Sequence, residues 1–171
     1  MQSRKISMMV VMAAAVLAAP FGLIQAQSSG TVLKAADAEK VIPASVFYRG
    51  QSATTQGRNS GGVKFSDGYF VLAAMVDTGG YSTAVAAKYQ AYFITEVPIT
   101  IGGQQLPAGA YGIGFVANNK FVVTDVGGHD VFTVDDKTDN DLKRPVPLQV
   151  TTNAGGGFRL YAGRSFVTFS R

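Results

Sequence analysis

The chain has 171 residues and neither cysteine nor tryptophan, so it is long enough for one domain with its own core and has no disulfide to staple it. The formal charge is +4 at pH 7, but no basic face is clustered as a nucleic-acid footprint requires, and that partner class is set aside. A single histidine and no cysteine leave only carboxylates to complete a metal sphere, which argues against a zinc centre.

The N-terminus has the layout of a cleavable export signal. Arg4 and Lys5 supply a positive start, residues 8–19 carry no polar side chain, and Pro20 and Gly22 interrupt the run before Ala26. An uncleaved anchor is the rival reading, since residues 6–24 approach the roughly 20 that a membrane-spanning helix needs. Pro20 and Gly22 shorten that run. No cysteine follows the signal, so no lipid anchor is expected. Losing Arg4 and Lys5 lowers the formal charge from +4 to +2. The expectation is a bacterial protein exported to the periplasm or the extracellular space, without a stable membrane anchor. Residues 1–26 form the signal, 27–44 an N-terminal extension and 45–171 a β domain. Small exported proteins without disulfides are ordinary in bacteria.

Residues 35–40 suit one short helix, with Asp37 and Glu39 near its start. No later stretch holds the apolar period of about 3.6 residues for three turns. Twenty glycines and many β-branched and aromatic residues point to short strands between turns. Strands are predicted at 45–49, 62–65, 69–76, 88–97, 99–101, 110–116, 120–126, 131–134, 148–152, 158–162 and 165–170. The continuously apolar 69–76 run reads as a central strand covered on both faces. In 158–162, alternation places Phe158 and Leu160 inward and Arg159 and Tyr161 outward. The fold class is all-β: a single antiparallel β-sandwich of about nine to eleven short strands, with a closed β-barrel as the alternative.

Gly102-Gly103, between Ile101 and Gln104, suits a two-residue hairpin with both central φ angles positive. Gly127-Gly128 is expected to do the same. Leu106-Pro107-Ala108-Gly109 fits a type I turn between antiparallel neighbours. The run from Ile101 through Gly102, Gly103, Leu106, Pro107, Ala108 and Gly109 to Tyr111 resembles a hairpin in a family of uncharacterised exported bacterial proteins. That hairpin reads Ile-Gly-Gly-x-x-Leu-Pro-Ala-Gly-x-Tyr. The resemblance implies a β-rich domain and no activity.

The first candidate site lies in the polar stretch 50–61, read as a long loop on the β scaffold. Arg49, Gln51, Arg58, Asn59 and Ser60 offer charge, amide and hydroxyl groups to an anionic or sugar-like ligand. Lacking tryptophan, the chain has no usual stacking platform for sugars. Asn59-Ser60-Gly61-Gly62 is similar to the nucleophile loop of trypsin-like serine proteases. The only base on offer is His129, whose order in the chain is wrong for that fold and whose neighbour Asp130 points to the opposite face of a strand. His129 otherwise reads as an exposed hairpin residue. Asp135, Asp136, Asp139 and Asp141 form a weak Ca²⁺ candidate without the glycine and closing glutamate of an EF-hand loop.

Residues 40–64 carry Lys40, Arg49, Arg58 and Lys64 and no acid, while 125–141 hold six acids against Lys137; such asymmetry can steer a charged partner or align copies head to tail. No catalytic constellation emerges and no cofactor is called for. The leading expectation is a non-catalytic binding or structural module with an envelope or extracellular partner. The alternatives are a lipocalin-like small-molecule carrier and a hydrolase with an unidentified carboxylate site.

Overall fold

The computed structural model describes residues 29–171. The export signal and its cleavage position lie outside the described residues. The chain starts with β1 (Gly30–Leu33), α1 (Ala35–Ala38), β2 (Ser45–Tyr48), β3 (Gln51–Phe65) and β4 (Phe70–Val76). It continues through α2 (Thr83–Lys88), β5 (Ala91–Thr95), β6 (Ile99–Ile101), β7 (Gln104–Leu106), β8 (Gly109–Val116) and β9 (Lys120–Thr124). It ends with β10 (Asp130–Asp135), β11 (Lys137–Thr138), β12 (Gln149–Thr152), β13 (Phe158–Ala162) and β14 (Ser165–Ser170).

These strands form two antiparallel sheets. One runs β1-β3-β4-β5-β8-β9-β10, with β2 also paired to β3. The other runs β12-β13-β14-β6-β7, with β11 also paired to β14. The sheets pack face to face as a β-sandwich. The closed-barrel alternative is overturned, because neither sheet's end strands pair with each other. The space between the sheets is filled by Val63, Val71, Phe93 and Ile113 from the first and Ile99, Ile101, Leu160, Val167 and Phe169 from the second. All are buried, and such a core drives folding mainly by removing apolar surface from water.

The expected central strand is central. β4 lies between β3 and β5. Val71 and Ala73 face the inter-sheet core, while Leu72 and Ala74 pack on Ala38 and Ile42 behind the sheet. A second cluster on that rear face joins Val46, Tyr48, Ala53, Val76, Tyr89 and Tyr92. The rear covering comes from β2, the start of β3 and the two short helices.

Five readings need correction. The stretch 50–61 is a strand, not a loop. Arg49 and Gly50 have φ of 49° and 79° and make a two-residue hairpin between Tyr48 and Gln51, so the polar residues after it pair with β2. Thr and Gln tolerate a half-exposed strand, and a polar sequence sufficed here because only small Ala53 had to enter the rear cluster. The predicted 88–97 strand starts at Ala91, because Lys88 ends α2 and Tyr89 is its C-cap. Ser82 caps that helix by accepting from the Val85 amide, a helix too short to show a repeating apolar period.

Gly102 and Gly103 have φ of 54° and 88°, as the two-residue hairpin requires. Of Gly127 and Gly128 only the latter has positive φ; the Gly128 amide donates to Asp125 O at 2.9 Å in a longer turn. Residues 106–109 do not join neighbours in one sheet. Pro98 and Pro107 bracket the β6–β7 hairpin where the chain leaves the first sheet and returns to it. Proline donates no ladder hydrogen bond, which suits it to these crossings. Finally, Tyr161 faces outward yet is buried, lying on Phe166 and under the 135–141 segment.

Candidate functional site

An abrupt register change in β3 creates the site. Thr55 pairs with Val76 and Ser60 with Ala74, so residues 56–59 bulge against one residue of β4. Bulges bend a strand and re-aim its side chains. Within this one, Asn59 Nδ2 donates to Gln56 Oε1 at 2.8 Å, and the Ser60 hydroxyl donates to Gly57 O. Both contacts hold the bulge in shape. The result places Arg58, Asn59 and Ser60 along a groove of about 530 Å³, a size typical of small-ligand sites.

The groove lies where the two sheets' edges meet. Its walls are Val32 to Ala35, at the end of β1 and the start of α1, and Val146 to Thr152, which run into β12. The floor is apolar: Leu148 and Val150 belong to the inter-sheet core and Val32 packs against it. Lys34 and Arg58 are exposed and, among the described residues, have no ion pair or side-chain hydrogen bond. No acidic residue lines the groove. Glu39 packs on Gly57 next door without entering it. Lys143 and Arg144 are exposed just ahead of the Val146 wall. Gln149 also lines the groove, and its Nε2 is buried with no hydrogen-bond partner. The arrangement therefore combines apolar contact with cations, which suits a ligand with an apolar body and an anionic end.

The five residues of the sequence-derived site do not stay together. Arg58, Asn59 and Ser60 share the groove. Gln51 lies beside Gly80, and Arg49 is at the hairpin tip, its amide donating to Val126 O at 2.8 Å. From Gln51 to Arg58 the strand covers roughly 20 Å. Lys34, Val146, Gln149 and Thr152 were missed, because they come from segments far away in sequence. One signal was present: Pro145 and Pro147 flank Val146, the mark of a connection running to a sheet edge.

Ser60 is not placed as a protease nucleophile, in line with the chain order. The residue is 2% exposed and its hydroxyl donates to Gly57 O. His129 sits in the turn after β9, four strand positions away across the sheet, or roughly 20 Å. His129 Nδ1 lies 3.1 Å from Asp125 Oδ2, on an exposed turn. That contact, led by the hydrogen bond from the His129 amide, holds the Asp125 carboxyl below the usual carboxylate range.

The four aspartates of the Ca²⁺ candidate do not converge. Asp135 pairs with Lys120 at 2.5 Å. Asp136 is buried, and burial first, then the Asp135 charge, pushes its carboxyl up. Asp139 accepts from the Tyr161 hydroxyl at 2.8 Å and lies 3.6 Å from Arg159. Asp141 is exposed, its amide donating to Asp139 Oδ1 at 3.1 Å. Among the described residues no three His, Asp or Glu side chains are grouped to hold a metal ion. No helix among them is long and apolar enough to cross a membrane.

No family model matches the chain, and no curated protein or solved structure matches it either.

Proposed function

We propose that the protein is an exported, non-catalytic binding module of a bacterial envelope or extracellular space, and that it holds its ligand in the groove between β1, the β3 bulge and β12. One observation carries the reading: Arg58 and Lys34 flank an apolar floor, no acid lines the groove, and neither cation has an ion pair among the described residues. An unpaired cation at the rim of an apolar cleft attracts an anionic group and orients it. The hairpin resemblance to exported β-rich proteins is in keeping with this. The filled space between the sheets speaks against carriage in a lipocalin-like interior.

Native mass spectrometry of protein secreted through its own N-terminal segment tests the reading. The expected spectrum has a mature mass beginning at Gln27 and an added mass released on denaturation. The added mass should fall or vanish in Arg58→Ala. Retention of the full added mass in that variant would refute the site.

A further inference from the structure

We infer that the groove's occupant is a free single-chain fatty carboxylate, its headgroup held at the Arg58 end and its alkyl tail laid toward the start of β1. This deepens the reading above and rests on it. Three contacts set the direction of the groove. An added Cβ at Gly30 would lie 3.1 Å from Phe158 Cζ, and Phe158 pairs with Thr152, so the Thr152 end of β12 lies beside the start of β1. An added Cβ at Gly61 would lie 3.1 Å from the Val150 nitrogen and 3.5 Å from Leu33 O, so Val150 sits beside the end of β1. Val146 therefore lies farther along, past Leu33. Leu33 pairs with Gly62, which puts Lys34 and Arg58 past that point as well. Lys143 and Arg144 come directly before Val146 and are exposed.

The cations thus gather at one end of the groove. Toward Val32 and Thr152 its lining holds no charged residue. A polyanion needs cations along its length, whereas a one-ended cluster matches a ligand with a single anionic head.

The rest of the groove offers few partners to a polar body. The close approach of Gly61 sets the main chain of β3 against that of β12 and against Leu33 O, and the other edge of β12 pairs with β13. Asn59 and Ser60 are turned to Gln56 and to Gly57 O inside the bulge, and Gln149 Nε2 is buried. What remains is the apolar side chains of Val32, Val146, Pro147, Leu148 and Val150. A sugar or a peptide would leave water there without regaining hydrogen-bond partners. An alkyl chain has no such groups to satisfy and gains by leaving water. The groove of about 530 Å³ is of the size that takes a drug-sized ligand. One chain of about twelve carbons matches that size, and the two chains of a membrane phospholipid exceed it.

The test is isothermal titration calorimetry of the full exported protein with octanoate, decanoate and dodecanoate, each below its micelle-forming concentration. Dodecyltrimethylammonium supplies the same tail with the opposite charge, butanoate the head without the tail, and phosphatidylglycerol vesicles an anionic acyl lipid held in a membrane. Each methylene buried strengthens binding by up to about fourfold, so dodecanoate should bind about tenfold or more tighter than octanoate. Arg58→Ala and Lys34→Ala should each weaken dodecanoate about threefold or more. Both should leave the ratio between chain lengths unchanged, because head and tail are held at opposite ends. Butanoate binding as tightly as dodecanoate, or capture by the vesicles with no free carboxylate bound, overturns the fatty-carboxylate inference. The groove reading stands in either case if Arg58→Ala abolishes the binding seen. Dodecyltrimethylammonium binding as tightly as dodecanoate, with neither affected by Arg58→Ala, overturns both. If no probe binds, the inference falls, and the Arg58 dependence of the added mass in the native spectrum decides whether the groove reading falls with it.

Discussion

Tyr48 lies flat on Tyr89, ring centroids 3.6 Å apart and planes 11° from parallel, and both rings press on Gly112 of β8. A Cβ at Gly112 would stand 2.7 Å from Tyr48 Cε2 and from Thr124 Oγ1. The Tyr48 hydroxyl is 2.8 Å from that same Thr124 oxygen, so the pair is fixed at both ends. The stack ties β2 and α2 to the rear of the first sheet, and β2 in turn holds the start of β3.

Gly112→Ala should therefore overpack this corner and cost about 1–3 kcal/mol. The expected signature is a lower urea midpoint at unchanged slope. An unchanged midpoint would show that the aromatic rings shift freely. The Tyr89 hydroxyl is buried without a partner; burial, with Tyr81, Tyr48 and Tyr92 nearby, pushes its pKa up. Tyr89→Phe keeps the ring and removes the unsatisfied group, and should stabilise by about 1 kcal/mol in the same assay.

Asp139 and Tyr161 predict the behaviour in acid. The Tyr161 hydroxyl first, then the Asp141 and Leu142 amides and the Arg159 charge, hold the Asp139 carboxyl below its usual range, against the opposite pull of burial. A carboxylate favoured by the fold contributes stability above its unfolded pKa of about 3.9. That contribution is lost as pH falls through the lower folded value. Asp139→Asn should flatten the fall in stability below about pH 4, measured as urea midpoint against pH. A parallel curve would mean the network contributes nothing through protonation.

Asp136 predicts the opposite slope. Its folded pKa is raised, so the folded state binds the proton more tightly than the unfolded one. Its contribution favours folding at low pH and is lost as pH rises through the window between the usual and the raised value. Its Oδ1 is buried without a partner, so the ionised form is uncompensated at neutral pH. Asp136→Asn should raise the thermal midpoint at pH 7 and narrow the difference between pH 7 and pH 4. A lower midpoint at pH 7 would contradict the burial argument.

Arg58 separates binding from stability. It is exposed and unpaired among the described residues, so Arg58→Glu should change stability by no more than about 0.5 kcal/mol. The same change reverses the charge facing the groove. Ligand retention should fall sharply, and residual binding should lose its salt dependence. Full retention at both low and high salt would remove Arg58 from the site.

Much of the strand pattern was legible because turns act locally. Gly102-Gly103 needs only its own two residues to reverse the chain, and the final strands at 158–162 and 165–170 coincide with β13 and β14. The polar 50–61 stretch was misread because Arg49-Gly50 makes its hairpin with a non-glycine residue at positive φ, a conformation that arginine does not advertise. The two-residue β11 and the six-residue α2 were too short to carry a period.

By itself, the sequence determined the all-β class, the Gly102-Gly103 turn and the central place of β4, since each depends on neighbours in the chain or on a continuous apolar run. Only the tertiary structure decided which sheet each strand joins, because Pro98 and Pro107 mark a break in pairing but not its destination. It alone brought Lys34, Arg58 and Gln149 to one groove and carried Arg49 away from it. Those relations depend on where a bulge in β3 and the edges of two sheets meet, and such long-range geometry leaves no periodic trace in the chain.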